Sequence, residues 1–370
     1  MSMPPPYRYK RIFAYGSLQF CGHIEEDLAK HTAELSVMIV QPRVGQHQNF
    51  LRRYSGGVLM EERALRSSQN LFVYYALWYI YHLRALWFFS TPAETTIVFA
   101  GHPIAFFGMS FLRCFRPLLY VYWIGDYFPS TQWSVRLYEW VKRRYHARMD
   151  VAYYLSDAIN RVMNDTMLES PHRRTVMWGL KPYDAFTPPP MRPFSLLFVG
   201  LIRPGQGIEM LFDFLSSHRD YRLNMIGVCQ PNYFAQLQKL LDQLDLHSHV
   251  FFPNRFYSEA ELLTVAHTCH VGIALYDTAM GNFTHYADPG KVKAYAEMRL
   301  PVVMTRVSDI VGFVEKFGSG EVVEHVDEIS DALERIRMNY PYYQAGIAHF
   351  IEYFEFDRYY QKAFSKLEEA

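Results

Sequence analysis

Residues 287–305 read ADPGKVKAYAEMRLPVVMT. A Pro-Gly turn leads into a lysine at the start of a short helix, and Pro301 closes that helix ahead of a Val-rich strand. Lys291 falls where the free N–H groups of a first helical turn and an ammonium can jointly hold a diphosphate. The alternative is a solvated lysine that the helix dipole slightly disfavours. Earlier in the same half, residues 195–211 read SLLFVGLIRPGQGIEML, which is strand, glycine turn, then helix. Gly200, Gly205 and Gly207 let the backbone approach a ligand closely, and the helix start beyond them favours an anion.

Around these two units the apolar runs keep alternating. Strands are expected at 196–199, 223–226, 250–252, 271–275 and 302–304, with helices near 208–215, 232–244, 259–266 and 292–297. That pattern makes a doubly wound sheet, whose ligands bind beyond the carboxyl ends of the strands. Upstream, Pro182, Pro188, Pro189, Pro190 and Pro193 break the pattern and mark a linker. A first series precedes it, with strands at 11–15, 35–40, 96–100, 118–123 and 151–155 and helices at 24–31 and 133–148. The 370 residues suit two α/β domains of roughly 150–200 residues each. We therefore expect residues 1–180 as one Rossmann-like domain, 181–194 as linker and 195–341 as a second such domain. Residues 342–367 are expected to pack back on the first, and the two sheets to face an interdomain cleft.

Hydrophobic residues make up 50% and charged residues 20%, a globular composition. Cys21, Cys114, Cys229 and Cys269 form no Cys-x-x-Cys, which fits neither a disulfide framework nor a zinc site and suits a reducing, cytoplasmic setting. Residues 1–10 are Pro-rich without an apolar core, so no secretory signal is expected. The net charge is zero, yet residues 1–190 hold 21 Lys and Arg against 14 Asp and Glu. Of the 37 of each sign, 16 and 23 remain for the rest, so the halves carry +7 and −7. The first half is expected to face something anionic, such as a membrane surface or a phosphorylated acceptor, the alternative being chance surface variation. Residues 71–89, LFVYYALWYIYHLRALWFF, approach a bilayer span in length. His82, Arg84 and the many Tyr and Trp argue instead for a buried Rossmann helix or one lying in a membrane interface.

The runs FVGLIRPGQGIE (198–209), HVGIALY (270–276) and PGKVKAYA followed by PVV (289–303) together resemble the donor domain of GT-B glycosyltransferases. The likeness is to the large retaining family of bacterial mannosyl- and glucosyltransferases and to the xanthan-type glucuronosyltransferases. In the first half IVFAGHP (97–103), YVYWIGDY (120–127) and DVAYYLSD (150–157) resemble that fold's successive strand ends, and residues 178–188 its interdomain segment. Leu201 and Gln206 stand where retaining members usually carry arginine and lysine. Tyr286 and Ala294 stand in place of their Glu-x7-Glu pair, which makes the xanthan-type enzymes the better analogue.

The resemblance implies two Rossmann-like domains and transfer of a sugar from a nucleotide diphosphate, UDP above all, to a saccharide or lipid-linked saccharide in glycan synthesis. It implies donor contacts from Gly200, Arg203, Gly205, Gly207, Tyr276, Asp277, Asn282, Asp288, Gly290 and Lys291, with Arg203 replacing the lost basic residues and Tyr276 stacking on the base. Asp288 equally fits a cap of the helix near Gly290. For an inverting transfer one carboxylate must take the acceptor proton, and Asp126, beyond a strand and Gly125, is the candidate base. Its competing role is a helix cap, and His102 is the alternative base or a structural histidine. His267, Cys269 and His270 straddle a helix end and a strand, a poor metal geometry. Neither Asp-x-Asp nor a Walker motif occurs, so we expect no metal, no other cofactor and no nucleotide hydrolysis. Peripheral membrane contact through residues 1–180 is expected, and no nucleic-acid partner. The rival readings are a UDP-sugar 2-epimerase and an inactive GT-B subunit that only binds.

Overall fold

The computed structural model describes residues 8–17, 22–40, 49–170, 172–184, 187–276, 283–364 and 367. The chain forms two compact units, Met1–Gly179 with Phe356–Ala370, and Leu180–Glu355.

In the first unit the strands are β1 (Tyr9–Ser17), β2 (Thr32–Val40), β3 (Asn49–Ser55), β4 (Val58–Leu65), β5 (Thr96–Ala100), β6 (Leu118–Ile124), β7 (Val151–Tyr154) and β8 (Arg173–Thr175). They form one sheet in the order β4-β3-β2-β1-β5-β6-β7-β8. Strands β5, β6 and β7 are buried along their whole length, as the apolar runs require. The chain leaves β1 toward β2 on one side and returns to β5 on the other, which places a switch point between β1 and β5. The outer strands depart from the parallel pattern of a Rossmann-like sheet, because β3 and β4 form a hairpin that pairs antiparallel to β2. Its turn is Gly56-Gly57, both at positive φ, the conformation a two-residue hairpin loop needs. Cross-strand charge pairs stabilise it, with Arg52 Nε 2.6 Å from Glu62 Oε2.

The second unit has β9 (Phe194–Val199), β10 (Tyr221–Ile226), β11 (Val250–Phe251), β12 (Val271–Ala274), β13 (Val302–Thr305) and β14 (Gly320–Val323). All pair in parallel in the order β11-β10-β9-β12-β13-β14. Here the switch point lies between β9 and β12, the two strands whose following segments carry the quoted glycine turns. Tyr295, on the helix Gly290–Glu297, fixes that helix over both strands. Its hydroxyl donates to the Ile273 carbonyl at 2.9 Å and accepts from the Val199 N–H at 3.1 Å.

The return of the chain to the first unit is shorter than the expected 342–367. Helix Tyr340–Phe354 stays with the second unit, where Phe354 packs on Phe313 and Phe350 on Phe317. Only helix Phe356–Phe364 joins the first, with Phe364 against Phe99, Trp123 and Tyr153. The Tyr360 hydroxyl there accepts from the Gly179 N–H and donates to the Gly22 carbonyl. Among the described residues, no helix is long and apolar enough to cross a membrane.

A Cβ at Gly272 would lie 2.2 Å from the Tyr295 ring. Gly272→Ala should therefore lower stability by about 1–3 kcal/mol, the usual cost of overpacking, read as a lower denaturant midpoint at unchanged slope. A wild-type midpoint would show that ring and strand do not pack this way.

Candidate functional site

At the carboxyl end of β9 the chain turns through Gly200 at φ 124°, and a Cβ there would meet nothing within 4 Å. The loop runs through half-buried Arg203 and exposed Gly205 to Gly207, which caps helix Ile208–Ser217 in the left-handed conformation without a side-chain hydrogen bond. A Cβ at Gly207 would sit 2.4 Å from Leu275 Cβ, so this helix start is pressed against the end of β12. Helix Gly290–Glu297 likewise begins without a side-chain cap, after Pro289, and Gly290 borders open space. Both helix starts thus leave N–H groups available at the same switch point.

Lys291 occupies that position. Its Nζ is buried, has no hydrogen-bond partner among the described residues, and lies 4.0 Å from the Phe198 ring centroid and 5.1 Å from that of Tyr276. Burial, and then the Arg203 guanidinium, lower its pKa from 10.5 to about 7. Tyr276 is buried and pinned by Thr305 of β13, whose Oγ1 accepts from the Tyr276 N–H at 2.8 Å and donates to its carbonyl at 2.9 Å. Arg203 acts electrostatically on both Lys291 and Tyr276, so the three sequence-selected groups converge. Gln206 is buried, with Oε1 unpartnered among the described residues. Such an arrangement of cations, free N–H groups and an aromatic wall suits a diphosphate attached to a flat base.

Asp288 is placed otherwise. Its Oδ2 lies 3.7 Å from the Nζ of buried Lys293, whose ammonium also rests on the Phe354 ring, and the helix cap is Pro289. Asp288 thus serves a buried ion pair within the unit. Asp277 and Asn282 lie outside the described residues. His270 is structural, its Nδ1 accepting from the Ser195 N–H at 2.9 Å while its ring stacks on Phe194.

In the first unit Asp126 lies just beyond β6, and its carboxylate makes no hydrogen bond among the described residues. It is open to solvent, yet the surrounding protein raises its pKa, with Lys142 opposing. The competing cap role is not seen: helix Trp133–His146 starts after Gln132, and the Phe128 N–H is taken by Glu139. Lys142 is buried, pairs with Glu139 at 2.8 Å and donates to the Asp126 carbonyl, fixing the turn that presents the carboxylate. His102 follows β5 at the switch point; its Nδ1 accepts from the Ile104 N–H at 3.2 Å and its ring edge meets Trp78. Burial, then Lys142, lower its pKa to about 4. His102 is therefore neutral at pH 7 with its proton on Nε2, a donor more than a base. Phe198, Thr305, Glu139 and Lys142 escaped the sequence reading, since the first two meet the site only through strand order and the last two only through the inward face of helix Trp133–His146.

Residues 219–367 match a family model described as the C-terminal domain of glucosyltransferase 3-like proteins. No curated protein matches the sequence. The fold is similar to that of sucrose-phosphate synthase from Thermosynechococcus elongatus, at 13% identity, 97% of this chain, 99% of the other and TM-score 0.69. Anabaena HepE in complex with UDP is similar at 13% identity, 97% and 100% coverage and TM-score 0.65. The lipopolysaccharide outer core galactosyltransferase WaaB is similar at 15% identity, 96% and 99% coverage and TM-score 0.62. The fold is that of the GT-B glycosyltransferases, two Rossmann-like domains.

An anion beside Lys291 favours its charged form, so anion binding above pH 7 draws in a proton. Affinity for a nucleotide diphosphate ester, whose phosphates do not titrate in this range, should be full below pH 7 and fall as pH rises from 7 toward 10.5. Lys291→Arg, permanently charged, should flatten that profile in calorimetric titrations. An unchanged slope in the arginine variant would assign the pH dependence to another group.

Proposed function

We infer that this chain, of GT-B fold and with residues 219–367 matching a glucosyltransferase domain, moves a sugar from a nucleotide diphosphate to a glycan acceptor. The observation that carries the reading is the buried Lys291 ammonium, unpartnered among the described residues, between two helix starts without side-chain caps at the switch point. UDP is the proposed nucleotide, supported by its presence in the similar Anabaena structure, and Tyr276 offers an aromatic face to the base. The acceptor is proposed to be a saccharide or lipid-linked saccharide held by the first unit, with peripheral membrane contact through that basic half. Positive charge for the leaving diphosphate comes from Lys291, Arg203 and the helix dipoles, so the proposed reaction needs no metal.

We propose an inverting transfer. The acceptor hydroxyl oxygen bonds to the anomeric carbon as the bond to the diphosphate oxygen breaks, the electron pair leaving with the diphosphate. Asp126 takes the hydroxyl proton. Its raised pKa suits a base, and a Cβ at neighbouring Gly125 would meet nothing within 4 Å, leaving room for an acceptor. Asp126→Asn should cut nucleotide release on sugar transfer by roughly 10²- to 10⁴-fold while nucleotide affinity and melting temperature hold. Normal turnover in that variant would remove Asp126 from the chemistry.

A further inference from the structure

The helix Trp133–His146 is turned inside out. Glu139, Lys142 and His146 lie buried on its inner side, while Trp133, Leu137 and Trp140 face solvent, Trp133 at 78% exposure and Trp140 at 62%. A surface helix ordinarily shows the reverse. Helix Leu71–Phe89 adds to this face. It buries Tyr74, Trp78, His82 and Leu86 but leaves Phe72, Ile80 and Phe88 exposed on other sides. Ring contacts from Tyr79 to Phe107 and from Phe107 to Tyr145 link the two helices side by side through one aromatic bridge.

Arginine is interleaved with these rings. Arg136, Arg143 and Arg144 are exposed on the inverted helix, Arg116 lies 4.1 Å over Trp87, and Arg84 lies 5.8 Å over Phe88. Beside Phe88 a cavity of about 340 Å³ opens between helix Leu71–Phe89 and the β3–β4 hairpin. Its wall is apolar at Met38, Leu51, Leu65 and Ala85, and three guanidiniums, Arg53, Arg63 and Arg84, line it. Glu61 lies 3.8 Å from Arg53. Tryptophans amid guanidiniums suit the boundary between acyl chains and phosphates, where an aromatic body is buried and a cation meets the headgroup. A symmetric contact with a second copy would set these arginines against one another.

We propose that this face docks on a bilayer of anionic phospholipids, with one lipid phosphate seated among Arg53, Arg63 and Arg84. This locates the peripheral contact proposed above and does not involve Lys291 or the donor site. Flotation of the full chain with vesicles tests it. The protein should bind vesicles of equal parts phosphatidylglycerol and phosphatidylcholine, remain unbound with phosphatidylcholine alone, and detach as salt rises. The pair Trp133→Ser/Trp140→Ser should abolish binding. Arg63→Ala/Arg84→Ala should weaken it by roughly tenfold or more. All four side chains are exposed, so melting by circular dichroism should not move. Wild-type protein left unbound by the anionic vesicles would overturn the proposal, as would dimerisation through the tryptophans in its place. Equal binding to neutral vesicles would overturn the headgroup site.

Discussion

A buried ammonium without a hydrogen-bond partner among the described residues is the constraint around which the second unit is built. Three influences act against the charge on Lys291: burial, the Arg203 guanidinium, and its place in the first turn of a helix. The rings of Phe198 and Tyr276 offset part of this through their negative faces. An anion would relieve all three at once, and the available N–H groups of two helix starts point to the same demand.

The frame holding this arrangement is stiff. Tyr295 bridges β9 and β12 from the lysine's own helix, and Gly272 gives its ring room. Thr305 of β13 locks the backbone at Tyr276. Lys293, pointing into the core, pairs with Asp288 and rests on Phe354, anchoring the other side of the helix. One short helix thus sends two lysines to opposite tasks. The first unit repeats the logic with different chemistry, the Lys142–Glu139 pair shaping the turn that presents the Asp126 carboxylate.

Much of the fold was legible because buried parallel strands leave apolar runs between helices. Helix Ile24–His31 and strand Thr96–Ala100 lie where their patterns place them. The β3–β4 hairpin was not read, since its strands carry adjacent charges, Arg52-Arg53 and Glu61-Glu62-Arg63, in place of an apolar run and β4 is almost wholly exposed, although Gly56-Gly57 was a usable turn signal. At the site, Gly200, Gly207 and Lys291 were visible through local spacing. The partners that give them meaning were not, because Phe198 and Thr305 come from strands brought together only by sheet order. The Asp288 partner was hidden for a related reason: a carboxylate before a helix looks like a cap until its buried lysine is seen, and here the cap position is Pro289. Helix Leu71–Phe89 is buried on one side, as a Rossmann helix requires, and exposed on the other.

The most direct test is hydrogen exchange followed by mass spectrometry, with and without a UDP-sugar. The account predicts slower exchange in peptides covering residues 200–211 and 289–294, where the unpaired helix-start amides lie, with Lys291→Ala suppressing the change in both. Unchanged exchange in those two segments under saturating UDP-sugar would contradict it.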